Sequence, residues 1–310
     1  MNCTKEEADK LVEQYWEREW ERVKAEKELP SQKEKPITLE QCKNEFKNLK
    51  TYTTQKPNSR TSSNIIPYYH KSLVEANKKD SDSPVTMWKK LQTDPELFKK
   101  FLKNRYMRSD YFKESEEKNK MLWRGEVPMF IYVIGMNSMY LANRVSYFKP
   151  KLGKYIIDKY LSEEKEIFDP FSGSSGRLLA TCACEKYYIG QDLNAKHIQE
   201  SQKIIDELNL NAKVKVQDIF KDMELNRPAL FTCSPYRLTE QWNFDSDGKC
   251  LDKDLSCDEW IDVCIEKYKC PKMVFVTDDT LVKYKKYEVE TIINSSHFGK
   301  NLEKIVMMIF

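Results

Sequence analysis

The stretch Ile167-Phe168-Asp169-Pro170-Phe171-Ser172-Gly173-Ser174-Ser175-Gly176-Arg177-Leu178-Leu179 constrains the fold of this chain more than any other. A short apolar run ends in an acid, passes straight into a Pro/Gly/Ser turn, and opens an apolar helix predicted over residues 177–184. Glycine lets a backbone approach a ligand closely, and a helix start offers N–H groups that have no intrahelical partner. A strand, a glycine turn and a helix in immediate succession are how α/β proteins hold nucleoside-bearing cofactors. Two of the 8 glycines of the chain fall here. The spacing is not that of a dinucleotide fingerprint, and the Gly-Lys-Ser/Thr of a phosphate loop is missing. The acid directly before the turn opposes a phosphate, so these residues favour a cofactor that carries an ammonium group.

The downstream pattern repeats the unit. Residues 186–192 read as a second strand ending in Asp192, which lies 23 residues after Asp169. That is close to the ~20-residue offset at which an acid meets ribose hydroxyls in nucleoside-binding βαβ units. A helix over 195–208 carries Ile198, Ile204, Ile205 and Leu208 on one side. A third strand, 213–216, is followed by Gln217-Asp218, and a fourth, 228–232, by Cys233-Ser234-Pro235-Tyr236. A helix over 258–268 precedes a fifth strand, 272–277, and two further strand-like runs, 287–293 and 303–310, are joined by a turn around 295–299. Alternating elements predict a mostly parallel sheet, with the final hairpin supplying one antiparallel strand.

The order Asp-Pro-Phe-x-Gly, an acid after strand two, Asp218 after strand three and Ser-Pro-Tyr after strand four resembles the S-adenosylmethionine-dependent amino-methyltransferases. These are the DNA N6-adenine and N4-cytosine enzymes and their RNA relatives. Tyr147-Phe148-Lys149-Pro150, followed by a helix predicted over 152–160, is similar to the entry motif of that family. The wording of this region looks most like the enzymes carried by phages and other mobile elements. The resemblance covers about residues 146–310.

It implies an α/β fold: a Rossmann-like seven-stranded methyltransferase sheet over 141–310, preceded by a mainly helical region over 1–140 that binds nucleic acid or a partner. It implies S-adenosylmethionine as cofactor and methyl transfer to an adenine or cytosine amine in DNA, in a restriction-modification setting, with RNA as a variant. By motif match, Asp169 faces the methionine ammonium. Pro170, Phe171 and Gly173 belong to the methionyl turn, Asp192 holds the ribose, Asp218 meets the adenine amine, and Phe148 packs near the cofactor. The catalytic tetrapeptide of the family is usually Asp/Asn/Ser-Pro-Pro-Tyr/Phe/Trp; here it is Cys233-Ser234-Pro235-Tyr236. Tyr236 then stacks on the extruded base and the Ser234 carbonyl accepts from its amine. Cys233 stands where a strong acceptor is usual, and a thiol accepts weakly. The alternative is therefore a methyltransferase-like subunit that binds nucleic acid or a protein partner without chemistry.

The N-terminal half reads as helices. Thr4-Lys5-Glu6-Glu7 and Thr38-Leu39-Glu40-Gln41 are capping boxes that open helices to about Lys27 and Leu49. Ala8, Leu11, Val12, Tyr15, Trp16, Trp20 and Val23 form the apolar stripe of the first. Residues 51–66 read as a loop, and Asp94-Pro95 opens another helix to about Tyr106. Residues 51–150 carry 18 Lys/Arg against 10 Asp/Glu. Within them, Lys99, Lys100, Lys103, Arg105 and Arg108 are candidates to track phosphates. No recognition domain is inserted between strand three and Ser-Pro-Tyr, so base readout falls to the N-terminal half, to the 237–257 loop as a lid, or to a partner or second copy of the chain.

No apolar run approaches the ~20 residues needed to span a bilayer, and the polar N-terminus is not a signal peptide. Nine cysteines without paired zinc spacing point to a reducing, cytoplasmic setting and to no metal site. Cys182-Ala183-Cys184 reads as helix core, and His297 is given no role.

Overall fold

The computed structural model describes residues 3–30, 37–53, 63–75, 82–138, 147–219, 221, 225–233, 259–277, 288–293 and 302–309. Helices come first: α1 (Lys5–Ala25), α2 (Leu39–Lys50), α3 (Ile65–Tyr69), α4 (Ser72–Glu75), α5 (Pro84–Thr93), α6 (Pro95–Arg108), α7 (Glu116–Trp123), α8 (Met129–Ser138) and α9 (Pro150–Tyr160). Strands and helices then alternate: β1 (Glu166–Asp169), α10 (Gly176–Ala183), β2 (Tyr187–Asp192), α11 (Ala195–Leu208), β3 (Ala212–Val216), β4 (Ala229–Cys233), α12 (Glu259–Tyr268) and β5 (Lys272–Thr277). The strands β6 (Glu288–Ile293) and β7 (Leu302–Ile309) close the chain.

Helix starts follow the local chemistry. Thr4 and Glu7 exchange side-chain and backbone hydrogen bonds at 3.2 and 2.7 Å, and Thr38 and Gln41 do the same at 3.2 and 3.0 Å. Asp94 accepts from the amides of Glu96 and Leu97 at 3.0 and 2.9 Å, with Pro95 at the first helical position.

The chain divides into two compact units. One comprises Met1–Ile37 and Leu73–Val145, the other Thr38–Ser72 and Ser146–Phe310. The 38–72 segment falls in the same unit as the sheet, where α2 contacts α10 and α3 contacts α11.

The first unit is helical. Phe98 and Phe101 stack on the buried Tyr132 with ring centroids 5.9 and 6.0 Å apart. Burial of each such ring contributes roughly 1.5–3 kcal/mol. The stripe on α1 has a polar member that periodicity did not reveal: Glu19 is 0% exposed. Its carboxylate accepts from Arg22 Nη1 at 2.7 Å, from Tyr132 Oη at 2.9 Å and from the Val127 amide at 3.4 Å.

The second unit is an α/β sheet of Rossmann-like type in the order β3-β2-β1-β4-β5-β7-β6. β3, β2, β1, β4 and β5 run parallel, with Phe168 beside Ile189 on one side and Leu230 on the other. β7 is antiparallel to both β5 and β6 and lies between them. Ile167, Phe168, Leu230, Phe231, Val274 and Phe275 are fully buried, as expected of parallel strands covered on both faces. The chain runs outward from β1 to β2 and β3, then returns to β4 on the other side. That reversal opens a crevice at the C-terminal ends of β1 and β4, the place where open α/β sheets bind ligands.

Candidate functional site

Asp169 ends β1 and Cys233 ends β4, so both stand at the crevice. The turn between them and α10 needs its glycines for different reasons. Gly173 has φ +52°, a conformation that disfavours side chains, and among the described residues a Cβ there would meet only Phe171 O at 3.8 Å. Gly176 has no such φ, but a Cβ would lie 2.1 Å from the Phe148 carbonyl oxygen. Gly173 thus leaves open space above the turn, while Gly176 admits the backbone of the preceding segment.

Asp169 does not face outward. It is 0% exposed, and its Oδ2 accepts from Arg177 Nε at 2.7 Å and Tyr188 Oη at 2.8 Å. Its Oδ1 accepts from Thr232 Oγ1 at 2.8 Å and the Phe171 amide at 3.2 Å. Four donors saturate the carboxylate, so its charge answers Arg177 and not the ammonium of a ligand. Asp169 thus sits beneath the turn at the tip of β1, with Arg177 as its counter-ion.

Arg177 is the organiser that the sequence did not mark. It also donates to the Phe171 carbonyl, and its Nη1 lies 2.6 Å from Cys233 Sγ. Burial opposes its charge, yet Asp169 and Cys233 together raise its pKa. The ring of Phe148 packs 5.1 Å from the guanidinium carbon and 5.8 Å from the Phe231 ring.

Asp192 is half-buried at the end of β2. Its Oδ2 accepts from the Gly173 amide at 2.8 Å and its Oδ1 from the Asn194 amide at 2.9 Å. The Ser172 amide donates to the Gln191 carbonyl at 2.9 Å, which pins the turn to β2. Pro170 is buried and Phe171 half-buried in the turn, and Asp218 is half-buried just beyond β3. Three buried polar atoms in this region, Ser172 Oγ, Gln191 Oε1 and His197 Nδ1, have no hydrogen-bond partner among the described residues. Unpaired buried groups of this kind cost about 1–3 kcal/mol each unless water or another partner completes the bonding.

A second layer holds the turn from behind. Ser175 is left-handed at φ 65° and fully buried. Its Oγ lies 2.7 Å from His70 Nε2 and 2.6 Å from Ser201 Oγ. His70 Nδ1 lies 3.0 Å from Glu200 Oε2, and a carboxylate only accepts, so Nδ1 carries the hydrogen. Glu200 also accepts from the amide of Ser72 at 2.9 Å and from its hydroxyl. Burial works against the Glu200 carboxylate, but the His70 and Ser72 donors outweigh it and lower its pKa. Of the 51–66 span read from sequence as loop, Ile65 and Ile66 begin α3 and residues 54–62 lie outside the described residues; the strap from α3 to Ser72 clamps a strained serine. Only the pairing of His70 with residues more than a hundred positions away reveals it.

Ser234, Pro235, Tyr236, the 237–257 loop and His297 lie outside the described residues. The basic cluster of the first unit is partly neutralised. Lys99 pairs with Glu96 at 2.9 Å and sits 4.2 Å from the Trp16 ring centroid, and Lys103 pairs with Asp9. Arg105 is buried against Phe101, and burial pushes its pKa down to about 10. Lys100 and Arg108 remain exposed. Among the described residues no helix is long and apolar enough to cross a membrane.

No family model matches this chain, and no curated protein matches it. Solved structures similar to part of it include the human methyltransferase 10 domain containing protein, at 12% identity and TM-score 0.39 over 51% of this chain and 80% of that one. A Thermotoga maritima S-adenosylmethionine-dependent O-methyltransferase is similar at 15% identity and TM-score 0.38, over 57% and 71%. The Pyrococcus abyssi tRNA (uracil-54, C5)-methyltransferase, solved with S-adenosyl-L-homocysteine, is similar at 15% identity and TM-score 0.37, over 55% and 41%. At such scores the likenesses establish neither family nor substrate for this chain.

Proposed function

We propose that this chain binds S-adenosylmethionine in the crevice over the β1 turn and transfers its methyl group to an exocyclic amine of adenine or cytosine in DNA. The observation that carries the reading is the glycine turn at the topological switch point, where Gly173 keeps a positive φ and its amide bonds Asp192 at the tip of β2. The sequence motifs that resemble the amino-methyltransferases supply the chemistry. Asp192 and Asp218 stand at the ends of β2 and β3, where the resemblance assigns the ribose and the adenine. Phe148 and Phe171, both half-buried beside the turn, line the rest of the proposed pocket. Asp169 contributes by fixing Arg177, not by touching the cofactor.

When bound, the cofactor supplies an electrophilic methyl group on a sulfonium. An exocyclic amine is a poor nucleophile because its lone pair is delocalised into the ring, so the protein's task is orientation. In this reading the Ser234 carbonyl accepts one amine hydrogen and Tyr236 stacks on the extruded base. Cys233 occupies the usual acceptor position, and Arg177 fixes its sulfur at the tip of β4.

Titration calorimetry with S-adenosylmethionine tests the pocket, and labelled-methyl transfer to mixed-sequence DNA and RNA tests the substrate. We expect binding and transfer, both lost in Asp192→Ala and transfer alone lost in Tyr236→Ala. No binding of the cofactor overturns the reading. Binding without transfer to either polymer would leave a cofactor-binding module in place of an enzyme, and transfer to RNA alone would replace the DNA substrate.

A further inference from the structure

Arg105 is a buried cation that meets no carboxylate among the described residues. It lies in the last turn of α6, within the helical unit, and is 4% exposed. Other buried charges of the chain are answered: Arg177 by Asp169 at 2.7 Å, and Glu19 by Arg22 at 2.7 Å. Arg105 Nη2 donates to the side-chain oxygen of its neighbour Asn104, and Nε is sealed from solvent with no hydrogen-bond partner among the described residues. Nη1 makes no hydrogen bond to them either, and it is the donor left over for an anion.

The surroundings hold the arginine without neutralising it. The Phe101 ring centroid lies 5.4 Å from the guanidinium carbon. A Cβ on Gly135 of α8 would lie 2.5 Å from Arg105 Cδ and 2.6 Å from Nε. Helix α8 therefore gives up a side chain where the arginine enters, although glycine weakens a helix interior. An apolar side chain of similar length would fill this place without the desolvation cost of a charge. A charge kept where packing does not require it is a mark of function.

The charge balance indicates the ligand. Arg108 lies one turn on, exposed, and also meets no carboxylate among the described residues. Burial, and then repulsion by Arg108, push the Arg105 pKa down to about 10, which leaves it charged at neutral pH. The C-terminus of α6 answers the two arginines with roughly half a negative charge, so about 1.5 positive charges remain. A phosphate monoester carries about 1.5–2 negative charges at pH 7, and its oxygens suit the donor edge of a guanidinium. A carboxylate or a phosphodiester brings only one. A polymer also fits poorly at an arginine with 4% of its surface open.

We propose that Arg105 and Arg108 form a binding site for a phosphate group, either inorganic phosphate or a phosphomonoester. Arg105 supplies a fixed, desolvated donor, and Arg108 meets the anion from the solvent side. The site lies wholly within the helical unit and owes nothing to the cofactor crevice at the strand ends.

Titration calorimetry of the full chain tests this at neutral pH and constant ionic strength. The titrants are sodium phosphate and glycerol phosphate, with sodium chloride and glycerol as controls. Wild type should bind at least one of the two phosphates and neither control; the arm that binds tells a free phosphate from an esterified one. Arg105→Met should weaken binding at least about tenfold, as for a lost hydrogen bond to a charged group. Arg108→Gln should weaken it up to about fivefold, as for an exposed ion pair. In phosphate-free buffer Arg105→Met should melt at a higher temperature than wild type, and added phosphate should narrow the gap. The proposal fails if neither phosphate binds, if glycerol binds as well as its phosphate, if both variants bind like wild type, or if Arg105→Met melts below wild type without phosphate. Calorimetry with S-adenosylmethionine should be the same in both variants as in wild type, so failure here is distinct from failure of the proposed reaction.

Discussion

Arg177 Nη1 sits 2.6 Å from Cys233 Sγ, tying the helix after the glycine turn to the tip of the neighbouring strand. The same guanidinium neutralises Asp169, so one side chain couples two strand ends and the turn between them. Arg177→Met would leave the Asp169 charge buried without a cation and is expected to cost about 3–5 kcal/mol. Urea denaturation at neutral pH measures this. Adding Asp169→Asn should restore most of the loss, because no charge is then left unpaired.

Cys233 occupies the place of the stronger acceptor of the resembling family. Cys233→Asp puts a carboxylate beside Arg177 and is expected to raise methyl transfer roughly tenfold, one step of about 1.4 kcal/mol in the barrier. Single-turnover assays with saturating cofactor check it. A lower rate would show that the thiol is the better fit at this position.

The two turn glycines should separate stability from binding. Gly176→Ala drives a methyl group against the backbone of Phe148 and is expected to cost about 1–3 kcal/mol. Gly173→Ala meets open space but must hold φ +52°, a strain of roughly 1–2 kcal/mol, and it places a methyl in the proposed pocket. Thermal melts with and without S-adenosylmethionine should show that Gly176→Ala loses stability in both, while Gly173→Ala also loses the ligand-induced rise.

Acid should loosen the second unit in two stages. Burial, opposed by Asp192 and reinforced by His70, lowers the His197 pKa. The unfolded chain then binds the proton more readily, so stability falls as pH drops below the ordinary imidazole value of about 6.5. Glu200, also lowered, contributes stability that is present above the ordinary carboxylate range and lost as pH falls through its folded value. Melting temperature between pH 8 and pH 2 should decline in both windows. His197→Gln should flatten the first. His70→Ala should lower stability by about 2–3 kcal/mol at pH 7, through the lost Glu200 bond and the unclamped Ser175.

In the helical unit, Glu19 is held inside by Arg22, Tyr132 and the Val127 amide. Glu19→Ala leaves these donors unsatisfied and is expected to destabilise by about 3–5 kcal/mol, whereas Glu17→Ala on the solvent side should change stability by less than about 0.5 kcal/mol. Chemical denaturation of the two variants side by side distinguishes them.

Local chemistry was enough to place the capping boxes, the strand-turn-helix at 167–179 and the acids at the strand ends, because each of these features depends on neighbours within a few residues. The buried runs of the parallel strands were legible for the same reason: covering on both faces leaves no polar alternation. Tertiary structure alone decided that Asp169 turns inward to Arg177, that Arg105 and Glu19 are core residues, and that the 38–72 segment belongs with the sheet. The cost of burying a charge is met by partners distant in sequence: Arg177 reaches Cys233, and Glu200 reaches His70 and Ser72. Periodicity shows that a position faces inward, but only the folded chain supplies the donor that lets a charged side chain remain there.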